Sequence, residues 1–174
     1  MYGTVHDHWV NPRTGEQRFV MDPLTGQPRD DSTDAYAGVF LSLLRDYAEQ
    51  VPGDRGFILE HAYLMDVIAN VVIATKHENG LTGARPDWQG EYLLDNIDAE
   101  QGLADSAWIA REVLGNTALA DNWQDEADSL RRAVEAEIWF EDAQMYGWAS
   151  DQPHPRWDVF YADAVVQSWP VRFG

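Results

Sequence analysis

The sequence predicts an all-α protein built from helical hairpins, with a short β-hairpin at its N-terminus. Apolar residues recur at the 3.6-residue period of an amphipathic helix over most of the chain after residue 31. Capping and helix-breaking residues divide that part into about five helices. Residues 1–31 instead alternate short aromatic and β-branched runs with turn residues. We therefore expect an N-terminal β-hairpin and loop at 1–31 and a helical domain at 32–174.

The N-terminal segment contains two runs of β-formers separated by turn dipeptides. Asn11-Pro12 and Thr14-Gly15 lie between the runs TVHDHWV and RFVMDP, which predicts a hairpin with a loop of several residues. His6 and His8 would share one face of a strand, a spacing that metal ligands use. No third ligand accompanies them, so a surface position is the better interpretation and we predict no metal site.

The first helix begins near Ser32 or Thr33, after a cluster of N-capping residues at Asp30–Asp34. Its apolar face is predicted to comprise Tyr36, Val39, Phe40, Leu43, Leu44 and Tyr47. The opposite face carries Asp34, Gly38, Ser42 and Arg45. That face is either exposed to solvent or the lining of a crowded cavity in which only small groups fit.

The next two helices are separated by a long loop. The second runs from about Phe57 to His77, with a largely apolar surface. The third runs from about Gly90 to Leu114 and carries a stripe of mainly acidic residues. This stripe consists of Glu91, Asp95, Asp98, Gly102 and Asp105. Like charges at this spacing destabilise an isolated helix, so a solvated face is the commoner explanation.

The fourth helix follows a short turn, with Thr117 as a possible N-cap, and runs to about Phe140. Its buried stripe is predicted to be Trp123, Ala127, Leu130, Val134 and Ile138. A fifth helix should start near Trp157, after a connector rich in Gly, Pro and aromatic residues. Short and long connectors alternate along the chain. The long loops and the starts of the first, third and fifth helices should therefore meet at one end.

Composition limits the possible partners. The chain has 30 acidic and 12 basic residues, a formal charge of −18, which disfavours nucleic acid and anionic membranes as partners. Cysteine is absent, so thiolate chemistry and disulfides are excluded. No signal-peptide core or membrane-spanning run is visible, and we expect a cytoplasmic location. No cofactor is predicted.

The stretch from Asn79 to Gln101 is the strongest functional candidate. It groups an arginine, an indole and several carboxylates at a helix N-terminus. Such a group suits a sugar site, because an aromatic face stacks on a pyranose while carboxylates bind hydroxyls or transfer protons. The alternative is a helix start with favourable acids and a packed tryptophan.

Three segments resemble successive inner-helix starts of the six-hairpin glycosidase superfamily. These segments are DSTDAYAGVFLSLL at 31–44, GLTGARPDWQGEYLLDN at 80–96 and WDVFYADAVVQSWP at 157–170. The helix starts also give a repeat of roughly 60 residues. The resemblance implies helical hairpins of an (α/α)6 toroid, incomplete in this chain. It also implies hydrolysis of a glycosidic bond by two carboxyl groups, with inversion. Exposed faces of an incomplete ring could support self-association.

Within that resemblance, Asp87 and Asp34 are the first candidates for the acidic pair, and Glu91 and Asp95 are substitutes. The predicted substrate-binding residues are Trp88, Arg85, Trp157, Tyr36 and Trp148. Asp34 and Asp87 are also well placed to be helix or turn caps. A second class of function stays open, namely a non-catalytic helical-hairpin module that binds carbohydrate or protein.

Overall fold

The computed structural model of the protein describes residues 8–10, 17–19, 26, 32–85, 88, 90–152 and 154–173. In these residues the α-helices are α1 (Thr33–Gln50), α2 (Gly56–Glu60), α3 (Ala62–Ala74), α4 (Leu93–Glu112), α5 (Thr117–Glu137) and α6 (Ser168–Phe173). The strands are β1 (His8–Val10), β2 (Gln17–Phe19), β3 (Trp139–Phe140) and β4 (Met145–Tyr146), and a π-helical turn spans Phe160–Ala164.

The prediction of an all-α fold with a short β-hairpin is confirmed. β1 and β2 pair antiparallel, with His8 opposite Phe19. β3 and β4 form a second short antiparallel pair between α5 and the C-terminal segment. No helix in the described part of the chain is long and apolar enough to cross a bilayer.

Helix α4 lies at the centre of the fold and packs against α1 on one side and α5 on the other. Its own residues are buried around most of its circumference, which is the pattern of an interior helix. The largest buried side chains around it include Leu41 of α1, Leu103 of α4 and Trp123 of α5. α3 contacts both α1 and α4 and contributes Met65 to the same core.

The predicted buried stripe of α5 is confirmed. Trp123, Ala127, Leu130, Val134 and Ile138 are all buried. α5 begins at Thr117, the residue predicted to be its cap. The cap is Asn116 instead, because its side chain accepts a hydrogen bond from the Leu119 amide at 3.1 Å.

The face of α1 predicted to be apolar is mostly exposed. Val39, Phe40 and Leu43 on that face are 51%, 42% and 61% exposed, whereas Asp34 and Gly38 on the opposite face are buried. Of the two readings of that opposite face, solvent exposure is therefore wrong for Asp34 and Gly38, and they lie in crowded surroundings. Of Val39, Phe40, Leu43 and Leu44 on the predicted apolar face, Leu44 is the one that is buried. The small and polar face of α1 is therefore the face that contacts the centre of the molecule.

Glycine explains this orientation. A Cβ atom added to Gly38 would lie 2.2 Å from the backbone oxygen of Asp98, and one added to Gly102 would lie 2.4 Å from the Gly38 Cα. The two helix backbones thus approach each other more closely than any side chain would permit. Arg45 of α1 strengthens the same contact, since its guanidinium donates to Asp105 at 2.7 Å.

The acidic stripe of α4 is correspondingly not a solvated face. Asp105 is buried and paired with Arg45, and Gly102 is covered by α1. Asp98 is only partly exposed and accepts a hydrogen bond from the Trp169 indole at 3.2 Å. The like charges are therefore held apart by separate partners within the protein, which removes the expected destabilisation.

Two predicted helices are interrupted. The second breaks at His61, whose backbone departs from helical geometry and whose ring nitrogen contacts the Phe57 carbonyl at 2.9 Å. The fifth is replaced by an extended residue at Val159, the π-helical turn and then α6. The sequence pattern continued across both breaks because periodicity does not register a local change in backbone angles.

Candidate functional site

The loop between α3 and α4 folds back onto the start of α1. The Thr33 amide donates to the Ala84 carbonyl at 2.6 Å, and the Ala84 amide donates to the Gly90 carbonyl at 2.9 Å. Gly80 adopts a φ of +92°, a conformation that favours glycine, and reverses the chain after α3. These contacts bring the beginnings of α1 and α4 to the same end of the molecule.

Asp34 lies at this end but has no exposed surface. One carboxylate oxygen accepts from the Ser32 hydroxyl and the Ala35 amide, each at 2.8 Å. The other accepts from the Thr82 hydroxyl at 2.7 Å. Burial raises the pKa of Asp34, although the hydrogen bonds from Thr82, Ser32 and Ala35 act in the opposite direction. This placement fits a structural link between α1 and the loop better than the predicted catalytic role.

Asn96 extends this buried network into α4. Its side-chain oxygen accepts from the Thr82 amide at 2.8 Å, and its amide nitrogen donates to the carbonyls of Thr82 and Tyr92. All the hydrogen-bonding groups of the Asn96 side chain therefore contact backbone. These hydrogen bonds fix the α3–α4 loop at Thr82 to the start of α4.

Glu91 is the second predicted acid with a defined environment. Its carboxylate contacts the His77 ring at 2.6 Å and accepts hydrogen bonds from Asn79 and Ser150. Burial by itself raises the pKa of Glu91, but the hydrogen bonds from Ser150, His77 and Asn79 outweigh it and lower the pKa below its usual value. Glu91 is thus an ionised, well-partnered carboxylate that joins three segments of the chain.

The segment at 148–150 runs antiparallel to the start of α4. The Leu93 amide donates to the Trp148 carbonyl at 3.0 Å, and the Ser150 amide donates to the Glu91 carbonyl at 3.1 Å. Tyr92 and Ala149 form the bridge between these two bonds. This pairing brings Trp148 to Tyr92 even though the two residues are far apart in the sequence.

A row of aromatic side chains follows from this arrangement. The rings of Tyr92 and Trp148 are nearly parallel, at 9°, with centroids 6.0 Å apart. The Trp88 indole donates to the Tyr92 hydroxyl at 3.3 Å, and the Arg85 guanidinium lies 6.0 Å from the centroid of the Trp88 ring. A Cβ on Gly90 would lie 2.3 Å from the Trp88 indole nitrogen, so glycine is required for this packing.

An open cleft of about 310 Å³ lies beside this aromatic row. Its described lining consists of Ser32, Tyr92, Leu94, Asp95, Trp148, Tyr161, Ala162 and Val166. The lining therefore comes from the residue before α1, the start of α4, the segment at 148–150 and the π-helical turn. The volume is at the small end of the range for ligand pockets.

Asp95 is the one charged side chain in the described lining of this cleft. It lies in the first turn of α4, where the helix dipole stabilises a carboxylate, and it also has a partner within the protein. Among the predicted acids that the structure describes, Asp95 is the one that borders the cleft. Asp87 lies outside the described residues.

The predicted substrate-binding residues divide into two groups. Trp148 lines the cleft, and Trp88 and Arg85 continue the aromatic row beyond Tyr92. Trp157 is 63% exposed and does not line the cleft. Tyr36 is partly buried on α1 and is also absent from the described lining.

Tyr92 and Tyr161 in the cleft, and the partners of Glu91, were not predicted from the sequence. Tyr92 follows Trp88 by four residues, with Gly90 between them, and this aromatic pair is a local sequence signal for the site. Tyr161 lies in a stretch that periodicity predicted to be regular helix. The Glu91–Ser150 contact depends on tertiary structure and has no local sequence signal.

Among the described residues, no group of histidine and acidic side chains is arranged to hold a metal ion. No family model matches the sequence, and no curated protein matches it significantly. The chemistry of the site must therefore be inferred from its own residues.

Proposed function

We propose that the chain is a carbohydrate-active protein, a glycoside hydrolase of the six-hairpin type, with the aromatic cleft as its sugar site. The observation that supports this proposal most strongly is the parallel pair Tyr92–Trp148 beside Asp95 in one cleft. The apolar face of a pyranose stacks on aromatic rings, while a carboxylate accepts hydrogen bonds from the sugar hydroxyls. Both requirements are met within the same lining.

The arrangement of the helices is consistent with the resemblance to six-hairpin glycosidases. The cleft lies where the beginnings of α1 and α4 and the turn at Phe160–Ala164 meet. In a ring of helical hairpins, the starts of the inner helices surround the substrate. The described helices correspond to part of such a ring in this proposal.

Hydrolysis needs two carboxyl groups on either side of the glycosidic bond. Asp95 supplies one of them in this proposal, and Asp87, which precedes Trp88 in the sequence and lies outside the described residues, is the candidate for the other. Glu91 is less suitable, since its carboxylate is occupied by His77, Asn79 and Ser150. The resemblance to toroid glycosidases favours inversion, in which an activated water attacks the opposite face of the sugar.

The second candidate is a non-catalytic module that binds carbohydrate in the same cleft. One observation favours the binding module. Of the predicted acids in the described chain, Asp34 is buried and the Glu91 carboxylate is bonded to His77. Asp95 is then the one predicted acid in the described lining of the cleft. A binding module needs the aromatic row and one polar contact. A hydrolase needs a second carboxylate in addition.

Self-association belongs to the same proposal. α1 exposes Val39, Phe40 and Leu43, and α2 and α3 expose Phe57 and Tyr63. Exposed apolar surface of this kind marks a contact site for another protein surface. In this proposal a second copy of the chain covers this surface.

Trp148 and Trp157 provide a matched pair for testing the sugar site. Trp148→Ala should weaken oligosaccharide binding roughly tenfold, because a stacking surface in the cleft is lost. Trp157→Ala removes an exposed indole outside the described cleft and should leave the affinity unchanged. Titration calorimetry against a panel of oligosaccharides gives both affinities. Equal effects of the two variants would remove the cleft from the proposal.

A reducing-end assay separates hydrolysis from binding. The wild-type chain should release new reducing ends from a bound oligosaccharide, and Asp95→Asn and Asp87→Asn should abolish release without abolishing binding. Binding with no release by the wild-type chain would favour the non-catalytic module. Activity that survives both substitutions would place the acids elsewhere.

A further inference from the structure

The C-terminal segment of the chain forms one wall of the aromatic cleft. Tyr161, Ala162 and Val166 line the cleft from this segment, whereas Tyr92 and Trp148 line it from the start of α4 and from the segment at 148–150. The relative position of these two groups of residues therefore sets the shape of the cleft.

Apolar packing contributes little to holding this wall in place. Among the side chains described in residues 156–171, Val166 is the one that is buried, and Tyr161 is 79% exposed. Pro170 of α6 borders a second space, of about 180 Å³, which is also lined by Ile97 of α4 and Val134 of α5. A segment with few buried apolar contacts opens at a lower free-energy cost than the core does. Its hydrogen bonds to the rest of the protein therefore decide its position.

The side chain of Gln167 makes a two-point hydrogen bond to β4. Its oxygen accepts from the Tyr146 amide at 2.9 Å, and its nitrogen donates to the Tyr146 carbonyl at 2.7 Å. The same nitrogen donates to the Asp163 carbonyl, in the π-helical turn, at 2.8 Å. A single side-chain amide thus joins β4 to the turn that carries the wall.

These hydrogen bonds lie next to the cleft on both sides. Gln167 directly follows Val166, and Tyr146 is two residues before Trp148. Trp148 is itself fixed to α4, because its carbonyl accepts from the Leu93 amide at 3.0 Å. The Gln167 side chain is therefore placed to control the separation between the wall and the Trp148 ring.

We propose that Gln167 is the positioning residue of the aromatic cleft, and that its side-chain amide holds residues 160–166 at the distance from Trp148 at which a sugar ring fits. The inference rests on the proposed function. Loss of the two hydrogen bonds that Gln167 donates should let the wall move away from β4. Sugar affinity should fall with it, because apparent affinity is proportional to the fraction of molecules in which the cleft is complete.

A distance measurement tests the position of the wall without any sugar. The chain has no cysteine, so spin labels can be attached at Phe160→Cys on the π-helical turn and Arg132→Cys on α5. Both positions are exposed and neither belongs to the described lining of the cleft. Double electron–electron resonance then gives the distribution of distances between the two labels.

Gln167→Glu is the diagnostic variant. It keeps an acceptor for the Tyr146 amide but replaces the donating nitrogen by an oxygen that faces two carbonyls. The distance distribution should shift and broaden at neutral pH. Below about pH 4.3 the introduced carboxyl is protonated and can donate one hydrogen bond, so the distribution should return part of the way, relative to the wild type at the same pH.

Two further variants separate the hydrogen bonds from the charge. Gln167→Met removes the hydrogen bonds without adding a charge and should shift the distances in the same way. Gln144→Glu is the matched control, because the Gln144 amide donates to the Glu141 carbonyl at 2.9 Å inside the β3–β4 turn. It should leave the distances as they are in the wild type.

Titration calorimetry connects the position of the wall to sugar binding. Both Gln167 variants should bind the oligosaccharide that the wild type binds roughly tenfold more weakly, since two donated hydrogen bonds hold the wall in place. Gln144→Glu should keep the wild-type affinity. The urea midpoints of all three variants should stay close to that of the wild type, because the segment contributes little buried surface.

Three results would overturn the inference. Distances unchanged in both Gln167 variants would reject the positioning role and leave the proposed function intact. Changed distances with wild-type affinity would show that the position of the wall does not control sugar binding. If the wild type bound no oligosaccharide, the proposed function would fail, and the role of Gln167 in sugar binding would fail with it even if the distances moved as expected.

Discussion

The crossing of α1 and α4 gives the sharpest test of the fold. Gly38→Ala adds one methyl group at the point where the two backbones are closest. That methyl carbon would lie 2.2 Å from the Asp98 oxygen, 2.6 Å from the Asp98 carbonyl carbon and 2.9 Å from the Ala99 Cα. All three atoms belong to the backbone of a buried helix. The contact cannot be relieved by a side-chain rotation, so a helix has to move.

The expected cost follows from this displacement. Ordinary van der Waals contact begins at 3.4 Å, so the helices must separate by about 1 Å at the crossing. A gap of this size forfeits a quarter to a half of the dispersion energy of each contact that it opens. Overpacking of this kind costs about 1–3 kcal/mol or more, whereas the better helix propensity of alanine returns about 0.5–1 kcal/mol. We expect a net loss of about 1–2 kcal/mol.

Urea unfolding followed by far-ultraviolet circular dichroism measures this loss. Gly53→Ala is the control, because Gly53 lies in the α1–α2 turn and an added Cβ meets nothing within 4 Å. That substitution should change the free energy of unfolding by no more than about 0.5 kcal/mol. A Gly38→Ala variant as stable as Gly53→Ala would mean that the two helices are not in backbone contact.

Two further predictions concern the core face and the loop network. Leu41→Ala should lower the free energy of unfolding by about 2–5 kcal/mol, because Leu41 has no exposed surface. Leu43→Ser on the exposed face should change the free energy of unfolding by about 0.5 kcal/mol and weaken self-association in sedimentation velocity. If Leu41→Ala and Leu43→Ser destabilised the protein equally, Leu43 would be buried, as the apolar pattern of α1 predicted. The pKa of Glu91 is lower in the folded state than its usual value of 4.5. The ionised carboxylate therefore stabilises the fold above pH 4.5. This contribution is lost as the pH falls through the folded-state pKa. Glu91→Gln should therefore cost about 1–3 kcal/mol at neutral pH and progressively less in acid, and a cost independent of pH would contradict the network.

Much of the fold was predictable from local patterns. α5 carries a single apolar stripe with polar residues opposite, and both its buried face and its start were predicted to within a residue or two. The start of α1 also lies where the sequence predicted it, at Thr33, although the Ser32 side chain makes no capping hydrogen bond. These features depend on interactions between residues that are close in the sequence, so local sequence patterns predict them.

The candidate site was predictable in part. The stretch from Asn79 to Gln101 does border the cleft, through Tyr92 and through Asp95 of α4, and Trp148 lines the same cleft. The buried position of Asp34 was not predictable, because an acid in the first turn of a helix has the same local sequence pattern whether it is exposed or buried. The hydrogen bond from Thr82 that satisfies it comes from a different segment of the chain.

The sequence by itself determined that this chain is helical, where most helices begin, and which side of α5 is buried. Tertiary structure decided which side of α1 faces inward. Periodicity favoured Val39, Phe40 and Leu43, but the close backbone contact at Gly38 and the buried pair of Arg45 with Asp105 are made by the other side. The side of α1 that is buried is the side that fits the backbone and the charges of α4. Those residues of α4 are about 60 positions away in the sequence, so the local pattern of α1 does not contain this information.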